Sequence, residues 1–76
     1  MRQMKFKMER PGQVEPGQEV EIRESRLPSS WYYVIEPAVA MSANYPTSER
    51  LLSKSGIVSN VEETDRGYFV TVDFDE

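Results

Sequence analysis

The chain contains no cysteine and no histidine. These two absences remove disulfide staples, thiolate zinc sites and imidazole acid–base chemistry together. A cysteine-free composition also fits a reducing compartment, which gives an intracellular, cytoplasmic expectation. No apolar run approaches the roughly 20 residues a helix needs to cross a bilayer. The start, Met1-Arg2-Gln3-Met4-Lys5-Phe6-Lys7, lacks the apolar stretch and small-residue cleavage site of a secretion signal. No membrane partner is therefore expected. Positive charge is in short supply, with 9 Lys and Arg against 13 Asp and Glu for a net charge of -4. A generic grip on phosphate backbones needs clustered bases, so nucleic acid is a disfavoured partner. The 4 glycines form no Gly-rich loop leading into a helix, which leaves no phosphate cradle.

What is present fits one small β domain covering residues 1–76. A chain of this size buries only about 60% of its unfolded surface. Its core alone rarely supplies more than about 3 to 5 kcal/mol, which keeps self-association open as a further source of stability. Met4, Phe6 and Met8 alternate with Lys5, Lys7 and Glu9, the period of a strand with one buried face. Arg10-Pro11-Gly12-Gln13 and Glu15-Pro16-Gly17-Gln18 each place Pro-Gly at the centre of a type II turn, with Val14 tucked inward between them. Val20 and Ile22 alternate with charged residues in a short second strand, and Glu24 to Ser30 has loop composition.

Trp31-Tyr32-Tyr33-Val34-Ile35 is rich in β-formers and shows no polar alternation. Successive side chains on a strand face opposite ways, so either Trp31, Tyr33 and Ile35 point inward or Tyr32 and Val34 do. The outer set then needs a cover, from the segment Tyr45 to Leu52 or from a partner. After a bend at Glu36-Pro37, Ala38-Val39-Ala40-Met41 resumes as a strand of small residues. A short helix fits residues 47–53, capped by Thr47 or Ser48 and ended by Gly56.

The last third is a hairpin. Gly56-Ile57-Val58 and Tyr68-Phe69-Val70-Thr71-Val72-Asp73-Phe74 flank the turn Thr64-Asp65-Arg66-Gly67. A four-residue loop pairs Glu63 with Tyr68, Val61 with Val70, Ser59 with Val72 and Ile57 with Phe74. Ile57, Val61, Tyr68, Val70, Val72 and Phe74 then share the buried face.

This hairpin resembles the closing hairpin of SH3-like small barrels, the group that includes Tudor and KOW-type modules. The segment Pro16-Gly17-Gln18-Glu19-Val20-Glu21-Ile22 is similar to an early strand of such barrels. The whole chain also resembles short bacterial proteins with no assigned activity. The resemblance implies a mostly β fold, an SH3-like, partly open antiparallel barrel, with the helical segment near residues 47–53 as its only helix. It carries no KOW-like basic loop and no complete aromatic cage, so it implies fold and not function.

Catalysis is not expected. Lys54 beside Ser53 and Ser55 is no Ser-Lys pair, because adjacent residues do not face one another. Glu62 and Asp73 lie about 13 Å apart at roughly 3.3 Å per strand residue, beyond the reach of a paired-carboxylate mechanism. Asp73, Asp75 and Glu76 form an acidic tail without the fixed ligands of a calcium loop. No cofactor, metal or small-molecule ligand is called for. The aromatic run is the sharpest positive signal. It points to a protein-binding or self-associating surface made of Trp31, Tyr32, Tyr33 and Tyr45, with Arg26 and Arg50 at its rim. The alternative is a single-stranded RNA binder that stacks bases on the same aromatics and on Phe69, with Lys5, Lys7 and Arg23 for phosphates. A third reading is an accessory subunit with no ligand of its own.

Overall fold

In a computed structural model, which describes residues 1–10, 12–36 and 40–76, the chain forms a closed antiparallel β-barrel. Its strands are β1 (Arg2–Met8), β2 (Glu19–Arg26), β3 (Trp31–Ile35), β4 (Ala40–Ser42), β5 (Ser55–Thr64) and β6 (Gly67–Phe74). Around the ring they run β1, β4, β3, β2, β5, β6. β1 pairs with β6 from Arg2↔Phe74 to Met8↔Tyr68, and along its other edge with β4. The ring is thus closed where a partly open barrel was expected, because β1 finds a partner on both sides.

The alternation in β1 survives intact: Met4, Phe6 and Met8 are buried while Lys5 and Lys7 are exposed. Phe6, whose ladder partner is Val70, meets Phe74 in the core at 6.4 Å between ring centroids, a tilted contact. Val14 is buried between the two turns, as expected. Gly12 and Gly17 carry φ of 76° and 90°, which suits the third position of a type II turn. The N–H of Gln18 donates to the carbonyl of Glu15 at 3.1 Å and closes the second turn. Pro11 of the first turn, and Pro37, Ala38 and Val39 of the expected fourth strand, lie outside the described residues. β4 begins at Ala40.

β2 runs on through Glu24, Ser25 and Arg26, which had the composition of a loop. Val20, Ile22, Glu24 and Arg26 share one parity, and the last two reach the open end of the barrel, where polar side chains replace apolar ones. The strand continues after its hydrophobic pattern has stopped. β3 resolves its two options by register: Ile22↔Ile35, Glu24↔Tyr33 and Arg26↔Trp31 put Trp31, Tyr33 and Ile35 on the inner parity and Tyr32 and Val34 outside.

The expected helix over 47–53 is a single 3₁₀ turn, Thr47–Glu49. Leu51 follows it and is buried as a plug in the barrel end, which draws the chain out of helical geometry. No side chain caps the turn, and Thr47 instead accepts the indole N–H of Trp31 at 3.3 Å. The segment Tyr45 to Leu52 closes over the inner set of β3 and leaves the outer set without that cover.

The closing hairpin keeps its expected register from Glu63↔Tyr68 to Asn60↔Thr71, around a two-residue loop, Asp65-Arg66. A β-bulge between Val58 and Asn60 then shifts it, so that Val58 pairs with Val72 and Ile57 with Asp73. The extra residue inverts every side chain below it. Gly56 and Val58 therefore face inward and Ile57 is 44% exposed, in place of the expected Ser59↔Val72 and Ile57↔Phe74 pairs. Gly56 also loses its expected role as a helix stop. A Cβ there would lie 2.6 Å from Val72 Cγ1 and 2.7 Å from the carbonyl oxygen of Asp73. Only glycine lets β6 approach this closely.

Candidate functional site

The inner-parity residues at the Leu51 end of the barrel form an aromatic and arginine cluster. Trp31 exchanges backbone hydrogen bonds with Tyr45, at 2.8 Å and 2.7 Å, in an isolated bridge. The Tyr45 ring then stands 6.2 Å from Tyr33. The hydroxyl of Tyr33, a residue only 1% exposed, accepts the Leu51 N–H at 2.7 Å and donates to Glu24 Oε2 at 3.1 Å. Glu24 also receives Arg50 through two hydrogen bonds, Nε to Oε2 at 2.9 Å and Nη2 to Oε1 at 2.8 Å. The Arg50 guanidinium lies 4.0 Å from the centre of the Trp31 ring, and that of Arg26 lies 5.6 Å away. Arg2 stands 5.7 Å over Tyr45 and donates to the Glu49 carbonyl.

The charges are arranged to satisfy one another. Hydrogen bonding from Arg50, with help from Tyr33, holds the Glu24 carboxyl below its ordinary range against the opposing effect of burial. Burial pushes the Tyr33 phenol up, and Glu24 adds to that rise. Glu24 likewise raises Arg50. A phenol raised in this way holds its proton at neutral pH and acts as a strut between Leu51 and Glu24, with both roles of its hydroxyl used.

The outer wall differs. Lys7, Met41, Val34 and Arg23 are successive cross-strand partners on β1, β4, β3 and β2. A groove of about 420 Å³ lies along this wall. Tyr32, Met41 and the largely buried Val34 line it, with Ala40, whose side chain packs in the core, at its edge, and Lys7, Glu9 and Arg23 supply its charges. Met41 is 53% exposed. Arg23 is held by Glu36 at 2.9 Å.

Of the residues expected to form one contact surface, the structure brings Trp31, Tyr33, Tyr45, Arg26 and Arg50 together. Tyr33 lies beneath that surface and Tyr32 on the other side of the sheet. The phosphate-binding candidates also divide: Lys7 and Arg23 share the groove with Tyr32, while Lys5 lines a separate depression with Phe69 and Glu62. Glu24, Leu51 and Met41 were not singled out from sequence. The parity of Tyr32 and Val34 carried the signal for the groove, and nothing local carried it for Glu24, whose partner is 26 positions away. The acids of the tail are dispersed, with Asp73 accepting from Gln3 at 2.8 Å and Glu76 from the Leu52 N–H at 3.2 Å. Among the described residues no helix is long and apolar enough to cross a membrane. Comparison with protein-family models, with curated proteins and with solved structures finds no match to this chain.

Proposed function

We propose that this protein is a non-catalytic SH3-like binding module of the cytoplasm, which docks a protein partner or a second copy of itself through the groove of Tyr32, Val34 and Met41. The observation that carries this reading is the contrast between the two faces of β3. The inner aromatics and their arginines are consumed by contacts within the chain, whereas Tyr32 and Met41 border an open groove with an apolar base. Apolar groups ringed by charges such as Lys7, Glu9 and Arg23 are the ordinary anatomy of a protein contact. Trp31, Tyr45, Arg26 and Arg50 serve as the frame of the barrel end in this reading.

The test is solution mass across a concentration range for the wild type and for Met41→Asp. A mass that rises with concentration in the wild type and stays monomeric in the variant supports a second copy as occupant. If both are monomeric, capture from cell extract that distinguishes wild type from Met41→Asp supports a different protein. Equal behaviour of the two forms in both assays defeats the proposal.

The placement of Lys7, Arg23 and Tyr32 in one groove favours single-stranded RNA as the second reading. Binding of an oligouridine that weakens steeply with salt would mark it. The pairing of Arg23 with Glu36 and the net charge of -4 weigh against it.

A further inference from the structure

Beyond Val58, β5 has a partner on one side only among the described residues. β2 pairs with it at Glu21↔Ser55, Val20↔Gly56 and Glu19↔Ile57. Gly17 and Gln18 prolong that edge to Val58, with the Gly17 N–H donating to the Val58 carbonyl at 2.7 Å and the Val58 N–H to the Gln18 carbonyl at 2.9 Å. From Asn60 to Thr64, β5 pairs with β6 alone among the described residues. Thr64 and Gly67 close the hairpin, so the alternation of an antiparallel ladder turns the N–H and C=O groups of Val61 and Glu63 away from β6. The bulge at Ser59 marks where the paired edge becomes a free one.

The acids stand on this free edge itself. Glu62 and Glu63 are exposed on it and Asp65 at its tip, and none of the three is in a salt bridge among the described residues. The nearest bases lie to the other side, Arg66 across the turn and Lys5 two strands inward on β1. A second copy is a poor occupant, since two-fold pairing of β5 with itself centred on Glu62 or on Glu63 sets that glutamate against its own duplicate and brings two acidic edges together.

We propose that the Asn60–Thr64 edge of β5 binds an extended, basic peptide segment of a partner protein as an added strand. Main-chain hydrogen bonds to Val61 and Glu63 supply the affinity. Lysine or arginine beside Glu62 on the outer face, with a small apolar residue beside Val61 on the other, supplies the selection. The edge shares no residue with the groove of Tyr32 and Met41, so its fate and that of the groove are separately decided.

The test is an amide chemical-shift titration of the whole protein with a hexapeptide of alternating lysine and valine, taken to millimolar concentration. Shifts should centre on Asn60 to Thr64, and the Val61 and Glu63 amides should exchange more slowly with solvent. The double variant Glu62→Lys/Glu63→Lys should lose at least about tenfold in affinity, since it replaces the charge-assisted contact at Glu62 by repulsion and reverses the charge of the edge. If that variant does not fold, Glu62→Gln/Glu63→Gln replaces it. Absence of shifts at the edge, or equal binding of a glutamate–valine hexapeptide, overturns the proposal.

Discussion

Glu24 shows how one side chain can organise the end of a barrel. It takes two of the three guanidinium nitrogens of Arg50 and the hydroxyl of Tyr33, and through Tyr33 it reaches the backbone of Leu51. The linkage to pH follows from the direction of its shift. Its folded value lies below its ordinary value of 4.5, so in the window between the two the unfolded chain binds the extra proton. The stabilisation is complete above the unfolded value and is lost as pH falls through the folded one. Glu24→Gln should therefore be less stable than the wild type at neutral pH by about 1 kcal/mol, the upper range for a partly exposed pair. Urea unfolding from pH 7 downward should show that gap narrowing through the acid range. A gap independent of pH would mean that the carboxylate charge is not what Arg50 and Tyr33 respond to.

Among the elements, β5 separates what local pattern reveals from what packing imposes. Ile57→Lys should shift stability by no more than about 0.5 kcal/mol, since its side chain stands outside between Glu19 and Asp73. Val58→Lys places an unpaired charge in the core, where Val58 is 1% exposed, and should abolish folding. Urea midpoints or amide spectra of the two variants decide the matter, and the reverse order would put the bulge in the wrong place. Alternation made β1 and β6 legible, and the Pro-Gly pairs made the turns legible, because both signals are local. The bulge was not legible. It depends on Phe74 and Val72 lying against the bare backbone of Gly56, a contact between residues that no spacing rule connects. The hydrophobic pattern of β2 stops short of its end for a related reason, since its last inward positions belong to a polar rim. The groove was half legible: the parity of Tyr32 and Val34 implied an outer apolar pair, but its other members, Lys7 of β1 and Met41 of β4, join it through a ladder register that no local pattern shows.

For the molecule as a whole, ring closure makes the strands mutually dependent. The single tryptophan, Trp31, sits in the end cluster, whereas the backbone ladders circle the whole barrel. Tryptophan fluorescence and far-ultraviolet circular dichroism should therefore give coincident urea transitions, as for one cooperative unit. A separate, earlier fluorescence transition would show that the Trp31 end opens while the ring persists. Closure also binds the extremities of the described chain, as Arg2 pairs with Phe74 in the ladder and its side chain lies 3.8 Å from Glu76.

That adjacency has its sharpest consequence on the ribosome. β1 emerges before every other strand of the ring, yet the apolar face of Met4, Phe6 and Met8 is completed by Val70, Val72 and Phe74 of β6, which emerges after all the others. For most of the synthesis of this chain that apolar face waits without its main partner, so the nascent chain, rather than the finished barrel, is the form most exposed to aggregation.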